Sequence, residues 1–308
     1  MAEFTYVYGP VPSRRLGISL GVSPIPKKTC NYSCIYCQLG RTTHMTNQRK
    51  IFYPVETIIA ELEIFLQKNI KYDVITIVGE GEPTLYSGLG QLIEKLHKIT
   101  EKPIAVITNG SLLYDHDVQS DLIQADILLP TLDAYDEKSF KKINRPYPSL
   151  DYYKVLNGLE DFSRKYKGQL WLEIMLMKDI NDDHDAIIKY SEILKKIKYE
   201  KLYFNTPIRP PAETGIFALS HERMNHVAEI LGGFSIDLLS SHGFYSEIKN
   251  DYQALMSIIK RHPMNQYEIE EFLKSRGNTS PESFMKNLET DISIVIIEYK
   301  GYRTYRLK

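Results

Sequence analysis

Cysteine is scarce in this chain: among 308 residues there are three, all between positions 30 and 37. A disulfide framework needs cysteines in even number spread along a sequence, so this distribution excludes one and points to a metal. Charge of one sign is also lacking. The 38 Lys and Arg residues against 39 Asp and Glu give a formal net charge of -1, which removes any bulk pull toward nucleic acid or an anionic membrane. No apolar run approaches the roughly 20 residues that a membrane helix needs. Met1 to Pro10 carries no basic stretch followed by an apolar core, so the expected location is the cytoplasm. Internal repeats, low-complexity tracts and long Gly/Ser linkers are absent as well. What remains is ordinary globular composition, 43% hydrophobic and 25% charged, enough for one large domain with a small appendix.

Short β-branched runs alternate with longer helical segments, the pattern of βα units around a parallel sheet. Strands are predicted at Leu16 to Val22, Asp73 to Val78, Pro103 to Thr108, Asp126 to Thr131, Gln169 to Met177 and Lys201 to Thr206. Helices are predicted at Val55 to Asn69, Leu89 to Ile99, Asp115 to Ile123, Tyr152 to Tyr166, Asp183 to Ile197 and His221 to Leu231. Near-continuous apolar runs such as ITIV, IAVIT and ILLPT suit strands buried on both faces. Six such units make an incomplete barrel.

After about Phe244 the pattern changes. Gln253 to Arg261, Gln266 to Ser275 and Pro281 to Leu288 read as helices, and Ser293 to Tyr299 with Tyr302 to Leu307 as a hairpin about Lys300-Gly301. Three helices and a hairpin suggest a winged-helix-like module. The expected division is a domain at 1–243 and a module at 244–308. The module's charge is only about +2 from Lys260 onward, a weak nucleic-acid footprint.

The chemistry concentrates in Cys30-x3-Cys34-x2-Cys37, in the loop after the first predicted strand. Iron-sulfur clusters are commonly held by four thiolates, and only three are available. A [4Fe-4S] cluster so held keeps one iron open, and the amino and carboxylate groups of S-adenosylmethionine can fill it. The competing reading is zinc, with His44, seven residues after Cys37, as fourth ligand. Tyr36 lies between the last two cysteines, where an aromatic ring can pack beside adenine or simply fill space. Gly79-Glu80-Gly81-Glu82-Pro83 follows an apolar strand; its glycines permit close backbone approach and Pro83 fixes the turn. Polar residues recur at the ends of the other strands: Asn109, Asp133, Glu173 with Met175, and Asn205. Carboxyl-end loops build the active sites of barrel enzymes. Taken singly, these residues read equally as turn, cap or core positions.

From about Tyr8 to Pro211 the chain resembles the radical S-adenosylmethionine superfamily. More narrowly, it is similar to the iron-sulfur oxidoreductases related to the catalytic domain of tRNA wybutosine-synthesis enzymes. The likeness is carried by YGPVPSRRLG, KTCNYSCIYCQLG, GEGEPTLY, ITNGSLL, LDA, INRP, EIMLMKDIND and NTPIRPP. It implies an α/β fold, a (β/α)6 partial TIM barrel, with the cofactor across the open rim. It also implies one [4Fe-4S] cluster on Cys30, Cys34 and Cys37, adenine beside Tyr36, and the methionine amino group at Gly81 to Pro83. Asn109 and Asp133 then fall near methionine or ribose, and Glu173 and Asn205 on the adenosyl side. Ser13, Arg14, Arg15, Asn144, Arg145 and Arg209 recur in motifs of the narrower group, and the four arginines suit a phosphate or carboxylate.

The resemblance implies reductive cleavage of S-adenosylmethionine with an electron from an external flavodoxin or ferredoxin, then abstraction of a substrate hydrogen. A modified RNA base is the substrate it suggests; a small metabolite or a protein side chain is the alternative. Wybutosine-type enzymes use further cysteines for a second cluster, and this chain has none left, which sets it apart from that chemistry. The rivals of other classes are a zinc-binding winged-helix regulator and a simple electron carrier.

Overall fold

The computed structural model describes residues 4–68, 70–236, 244–246 and 248–308. Strands β1 (Val7–Ser13) and β2 (Gly17–Val22) form an antiparallel hairpin. A short parallel ladder, β3 (Thr29–Cys30) with β4 (His44–Met45), then brackets the cysteine loop. Helices and strands alternate beyond it: α1 (Val55–Leu66), β5 (Val74–Ile77), α2 (Leu89–Ile99), β6 (Ile104–Thr108), α3 (His116–Leu122), β7 (Ile127–Pro130), α4 (Glu137–Ile143), α5 (Tyr152–Lys165), β8 (Gln169–Met175), α6 (His184–Leu194), β9 (Lys201–Asn205), α7 (His221–Leu231) and β10 (Phe234–Ser235). The sheet runs β1-β2-β5-β6-β7-β8-β9-β10 and is parallel from β2 onward. Arg14, in the hairpin turn, donates to the carbonyl of Ile236 just past β10. The two ends of the sheet therefore face each other, as in a partial barrel.

The six predicted strands are present, and two more flank them. β1 is hidden in the sequence because VYGPVPS, with two prolines and a glycine, reads as loop; it is tolerated as an edge strand whose register shifts between Tyr8 and Val11. The helix predicted to reach Ile197 stops at Leu194, where the chain tightens into Ile193–Lys196 and Leu194–Ile197 turns. The helix predicted to Asn69 ends at Leu66, and Asn69 lies outside the described residues. Asp115, Asp136, Asp151, Asp183 and Ser220 cap α3 to α7 with their side chains, which satisfies amide groups otherwise left unpaired at each helix start.

Strand alternation sorts the side chains. Ile75, Ile77, Val106, Leu128, Leu172 and Phe204 face the helices in the main core. On the inner face Val74, Ala105, Ile127, Leu129, Trp171 and Tyr203 form an apolar floor, sealed by Leu16 from the hairpin turn. One step toward the carboxyl ends, the inner face carries Thr76, Ile107, Glu173 and Asn205 around a cavity. The polar rim is therefore set by where each strand stops being apolar.

The C-terminal residues form α8 (Asp251–Ile259), β11 (Met264–Asn265), α9 (Gln266–Ser275), α10 (Pro281–Glu289), β12 (Ile294–Tyr299) and β13 (Tyr302–Leu307). β13 lies between β11 and β12, antiparallel to both. This is three helices and a hairpin, with β11 added. Its core, including Leu255, Ile258, Met264, Ile269, Phe272 and Tyr305, also takes in Val11 of β1 and Phe244. Residues 237–243, beside the expected division of the chain, lie outside the described residues. No described helix is long and apolar enough to cross a membrane.

Candidate active site

The cysteine loop leaves β3 and is fastened on three sides. Ile35 N donates to Ile143 O at 2.9 Å, Ser33 N to Asn144 O at 3.0 Å, and Glu213 N to Ile35 O at 3.1 Å. Each thiol is half-buried and free. Two asparagine amides point at sulfur: Asn109 Nδ2 lies 3.7 Å from Cys30 Sγ, and Asn144 Nδ2 lies 3.5 Å from Cys34 Sγ. Burial pushes all three thiols above the usual cysteine range, so without a metal they are protonated, and cluster assembly must displace those protons.

The Gly79 to Pro83 turn sits against this loop. Glu82 N donates to Thr29 O at 3.0 Å, and a Cβ on Gly81 would stand 1.7 Å from that oxygen. A Cβ on Gly79 would meet Ile25 at 2.6 Å. Gly81 is thus required by the chain's own backbone packing, while the contact at Gly79 is with a side chain that can shift. Glu82 is not a cavity group. Its Oε1 accepts from Thr84 N, Thr84 Oγ1 and Thr108 Oγ1, and its Oε2 from Asn109 N at 2.7 Å, which binds the turn to the end of β6. Burial raises its pKa against those bonds. Pro83 begins a 3-10 turn, Pro83–Leu85, and is buried. Gly79, Glu80 and Gly81 line the cavity.

Asp133 and Asn109 also lie behind the cysteines rather than in the main cavity, lining a small one of about 30 Å³. Asp133 accepts from Tyr36 OH, from Asn144 Nδ2 at 3.1 Å and from Met175 N at 3.0 Å. Burial raises its pKa, and those bonds oppose the rise. The sequence separates Tyr36 from Asp133 by 97 positions, and the fold joins them.

The main cavity, of about 400 Å³, runs from Cys30, Cys34, Tyr36 and Cys37 to Glu173, Met175 and Asn205. Arg15 pairs there with Glu173, whose other oxygen accepts from Asn205 Nδ2 at 3.3 Å. Arg14 donates to Asn205 Oδ1 at 3.2 Å. Desolvation lowers the Arg15 pKa to about 10, with Arg14 adding to it. Four site residues expected from sequence thus form one polar cluster, with Glu173 and Asn205 engaged by the arginines.

Arg209 lines the same cavity but is anchored outward: Nε donates to Pro263 O at 2.5 Å and Nη2 to Glu268 at 2.8 Å. Arg145 is not brought to the cavity. It stands at the rim, where Glu213 accepts from it at 2.6 Å and from Arg41 at 2.6 and 2.8 Å. Its Nη1 helps hold the 213 loop to the cysteine loop, and its side chain is exposed. Among the cavity residues that escaped sequence reading are Arg261 and His262, from the segment between α8 and β11, and Lys28. Arg261 Nε lies 3.4 Å from Glu80 Oε2, and its guanidinium sits 4.9 Å from the Tyr8 ring centre. The adjacent Arg261-His262-Pro263 run was the one sequence signal of the first two.

The donor set suits a [4Fe-4S] cluster: three thiols on one braced loop, opening on a cavity, leave one iron for another ligand. His44, the fourth ligand that the zinc reading needs, is exposed, its Nδ1 lying 3.1 Å from Thr43 Oγ1.

Residues 25–190 match the radical SAM superfamily. The UPF0026 protein MJ1312 of Methanocaldococcus jannaschii is 38% identical over 308 residues, covering 96% of this chain and 94% of that one. A protein named GTPase Obg from Brachyspira hyodysenteriae is 44% identical over 218 residues. That match covers 71% of this chain but only 32% of the GTPase's length, and this chain has no GxxxxGK[ST] phosphate loop. A structure of TYW1 with a lysine-pyruvate adduct bound superposes with a TM-score of 0.51 at 21% identity, over 73% of this chain and 76% of that one, a likeness of fold. Fold, motif and relatives agree: the chain belongs to the radical S-adenosylmethionine superfamily, whose members bind a [4Fe-4S] cluster and S-adenosylmethionine.

Proposed function

We propose that the chain cleaves S-adenosylmethionine reductively and takes a hydrogen atom from a substrate seated in the main cavity. When bound, the cluster and its cofactor would supply the chemistry: one-electron cleavage of the bond from sulfur to C5′, with 5′-deoxyadenosine and methionine as products. The residues of the chain do the rest. Cys30, Cys34 and Cys37 would hold the irons and the Gly79 to Gly81 backbone would receive the methionine end; Tyr36, fixed by Asp133, keeps the loop shape, and Glu173 and Asn205, positioned by Arg15 and Arg14, would line the ribose side. The carrying observation is that the cysteine loop and the Arg15–Glu173–Asn205 cluster open on one cavity.

Lys28 Nζ and Arg306 lie 3.5 and 3.7 Å from where a Gly40 Cβ would stand, three residues after Cys37. This cationic rim supports an acidic external donor such as flavodoxin or ferredoxin. A cytoplasmic location suits such a donor. The RNA-base reading is the less favoured one. In a winged helix the third helix meets nucleic acid, and here α10 sets Glu282 and Glu289 against Lys286, with Arg303 paired to Glu289 at 2.8 Å. The test is anaerobic incubation of the reconstituted chain with reductant, S-adenosylmethionine and fractions of cell extract or RNA. A fraction that raises 5′-deoxyadenosine above background contains the substrate; stimulation by RNA alone overturns the preference for a small molecule.

A further inference from the structure

The part of the cavity near β9 is built unlike the part near the cysteines. Arg209 follows β9, Arg14 bonds Asn205 at its end, and His262 enters from the C-terminal module. Arg14, Arg15, Lys28, Arg209 and Arg261 line the cavity with Glu80 and Glu173; Arg15 pairs with Glu173, Arg261 with Glu80, and Arg209 with Glu268 outside the lining. Arg209 and Arg261 are more than nine-tenths buried, so their charges are poorly screened by water.

His262 is the group the fold leaves unexplained. Its Nδ1 is buried without a hydrogen-bond partner, as is Arg15 Nε. One face of the ring is covered by Phe244, centroids 5.2 Å apart. Burial, with Arg209 and Arg14 nearby, holds the imidazole well below its usual pKa, so it stands neutral beside cations. A buried polar atom with no partner marks the place of a missing one. In the tautomer that carries its proton on Nδ1 the ring can donate to an anion, which also accepts from guanidinium N–H groups. The S-adenosylmethionine carboxylate belongs at the open iron beside the cysteine loop, on the reading proposed above. The second anion must come from the substrate.

We propose that the substrate is a small molecule bearing a carboxylate or phosphate, received between His262, Arg209 and Arg14, so that the C-terminal module supplies part of the substrate site. This rests on the proposed reading of the cavity, but its test does not require turnover. Inorganic phosphate and acetate are titrated separately into the full-length, cluster-reconstituted chain by calorimetry. The expected result is saturable binding of one or the other, one per chain, weakened roughly 10- to 100-fold in His262→Ala. His262→Leu, which preserves bulk, serves if the alanine variant does not fold. Phosphate alone identifies a phosphoryl-bearing substrate and acetate alone a carboxylate. The proposal is overturned if neither anion saturates, if the variants bind as the parent does, or if an RNA hairpin displaces bound phosphate at micromolar concentration. If the parent binds the anion yet makes no 5′-deoxyadenosine with reductant, S-adenosylmethionine and any fraction of cell extract, it is the radical reading that fails and not this one.

Discussion

Gly81 and Thr29 are in direct backbone contact, with a Cβ on Gly81 falling 1.7 Å from the Thr29 carbonyl oxygen. Cys30 is the next residue, so the strand that delivers the first iron ligand is spaced by the absence of a side chain. Gly81→Ala must push that strand away. A displacement of about 1 Å at reacting groups costs on the order of 100-fold in rate. The variant should retain its far-ultraviolet circular dichroism yet lose 5′-deoxyadenosine formation by about that factor, with lower iron content after reconstitution.

Asp133 acts through Tyr36 and Asn144, which makes it a positioning residue. Asp133→Ala strands the Tyr36 hydroxyl and the Met175 amide, and removes one of the two acceptors of Asn144 Nδ2. Each buried group left unpaired costs about 1–3 kcal/mol. Urea unfolding should show a loss of at least that size, and Asp133→Asn, which keeps an acceptor, should recover part of it together with part of the cluster absorbance.

Much of this was legible beforehand, for physical reasons. Parallel strands buried on both faces leave uninterrupted apolar runs, so all six were found. The cysteine spacing and the Gly79 to Pro83 turn are local and equally visible. The hairpin strand β1 was not, because Gly9, Pro10 and Pro12 argue against a strand wherever edge position is unknown. α4 spans Glu137–Ile143, too short to display a helical period. The roles of Glu82, Asp133 and Arg145 could not be read either. Whether a carboxylate faces a cavity or its own chain depends on partners tens of residues away, as with Glu82 and Thr108 or Arg145 and Glu213.

Glu213 carries a pH signature. Hydrogen bonding from Arg41, and secondly from Arg145, lowers its pKa to about 2. A depressed carboxylate contributes stability that is complete above its unfolded value of about 4.3 and lost as pH falls toward the folded value. Arg41 is largely exposed, so water screens the pair and its contribution is small. Glu213→Gln should melt lower than the parent at pH 7, and the gap should close progressively as pH falls from about 4.3 toward 2. A gap independent of pH contradicts the ion-pair account.

Arg209 and Glu268 join the barrel to the C-terminal module through a pair with side chains 9% and 1% exposed. Removing one member leaves the other charge buried and uncompensated, which costs about 3–5 kcal/mol. Glu268 also completes the capping box of α9 by accepting from Asn265 N at 2.8 Å. Glu268→Ala should therefore be among the most destabilising single changes in the chain, read as a lowered urea midpoint. Glu268→Gln, which preserves the cap, should fall between it and the parent.

The central claim is that three cysteines on one loop hold a cluster with an open iron beside a cofactor cavity. Its most direct test is anaerobic reconstitution with iron and sulfide, followed by reductant and S-adenosylmethionine. The account predicts about four irons per chain and formation of 5′-deoxyadenosine, with cluster and product both lost in Cys30→Ala, Cys34→Ala and Cys37→Ala. One zinc per chain with no sulfide, or a reducible cluster that leaves S-adenosylmethionine intact, would contradict it.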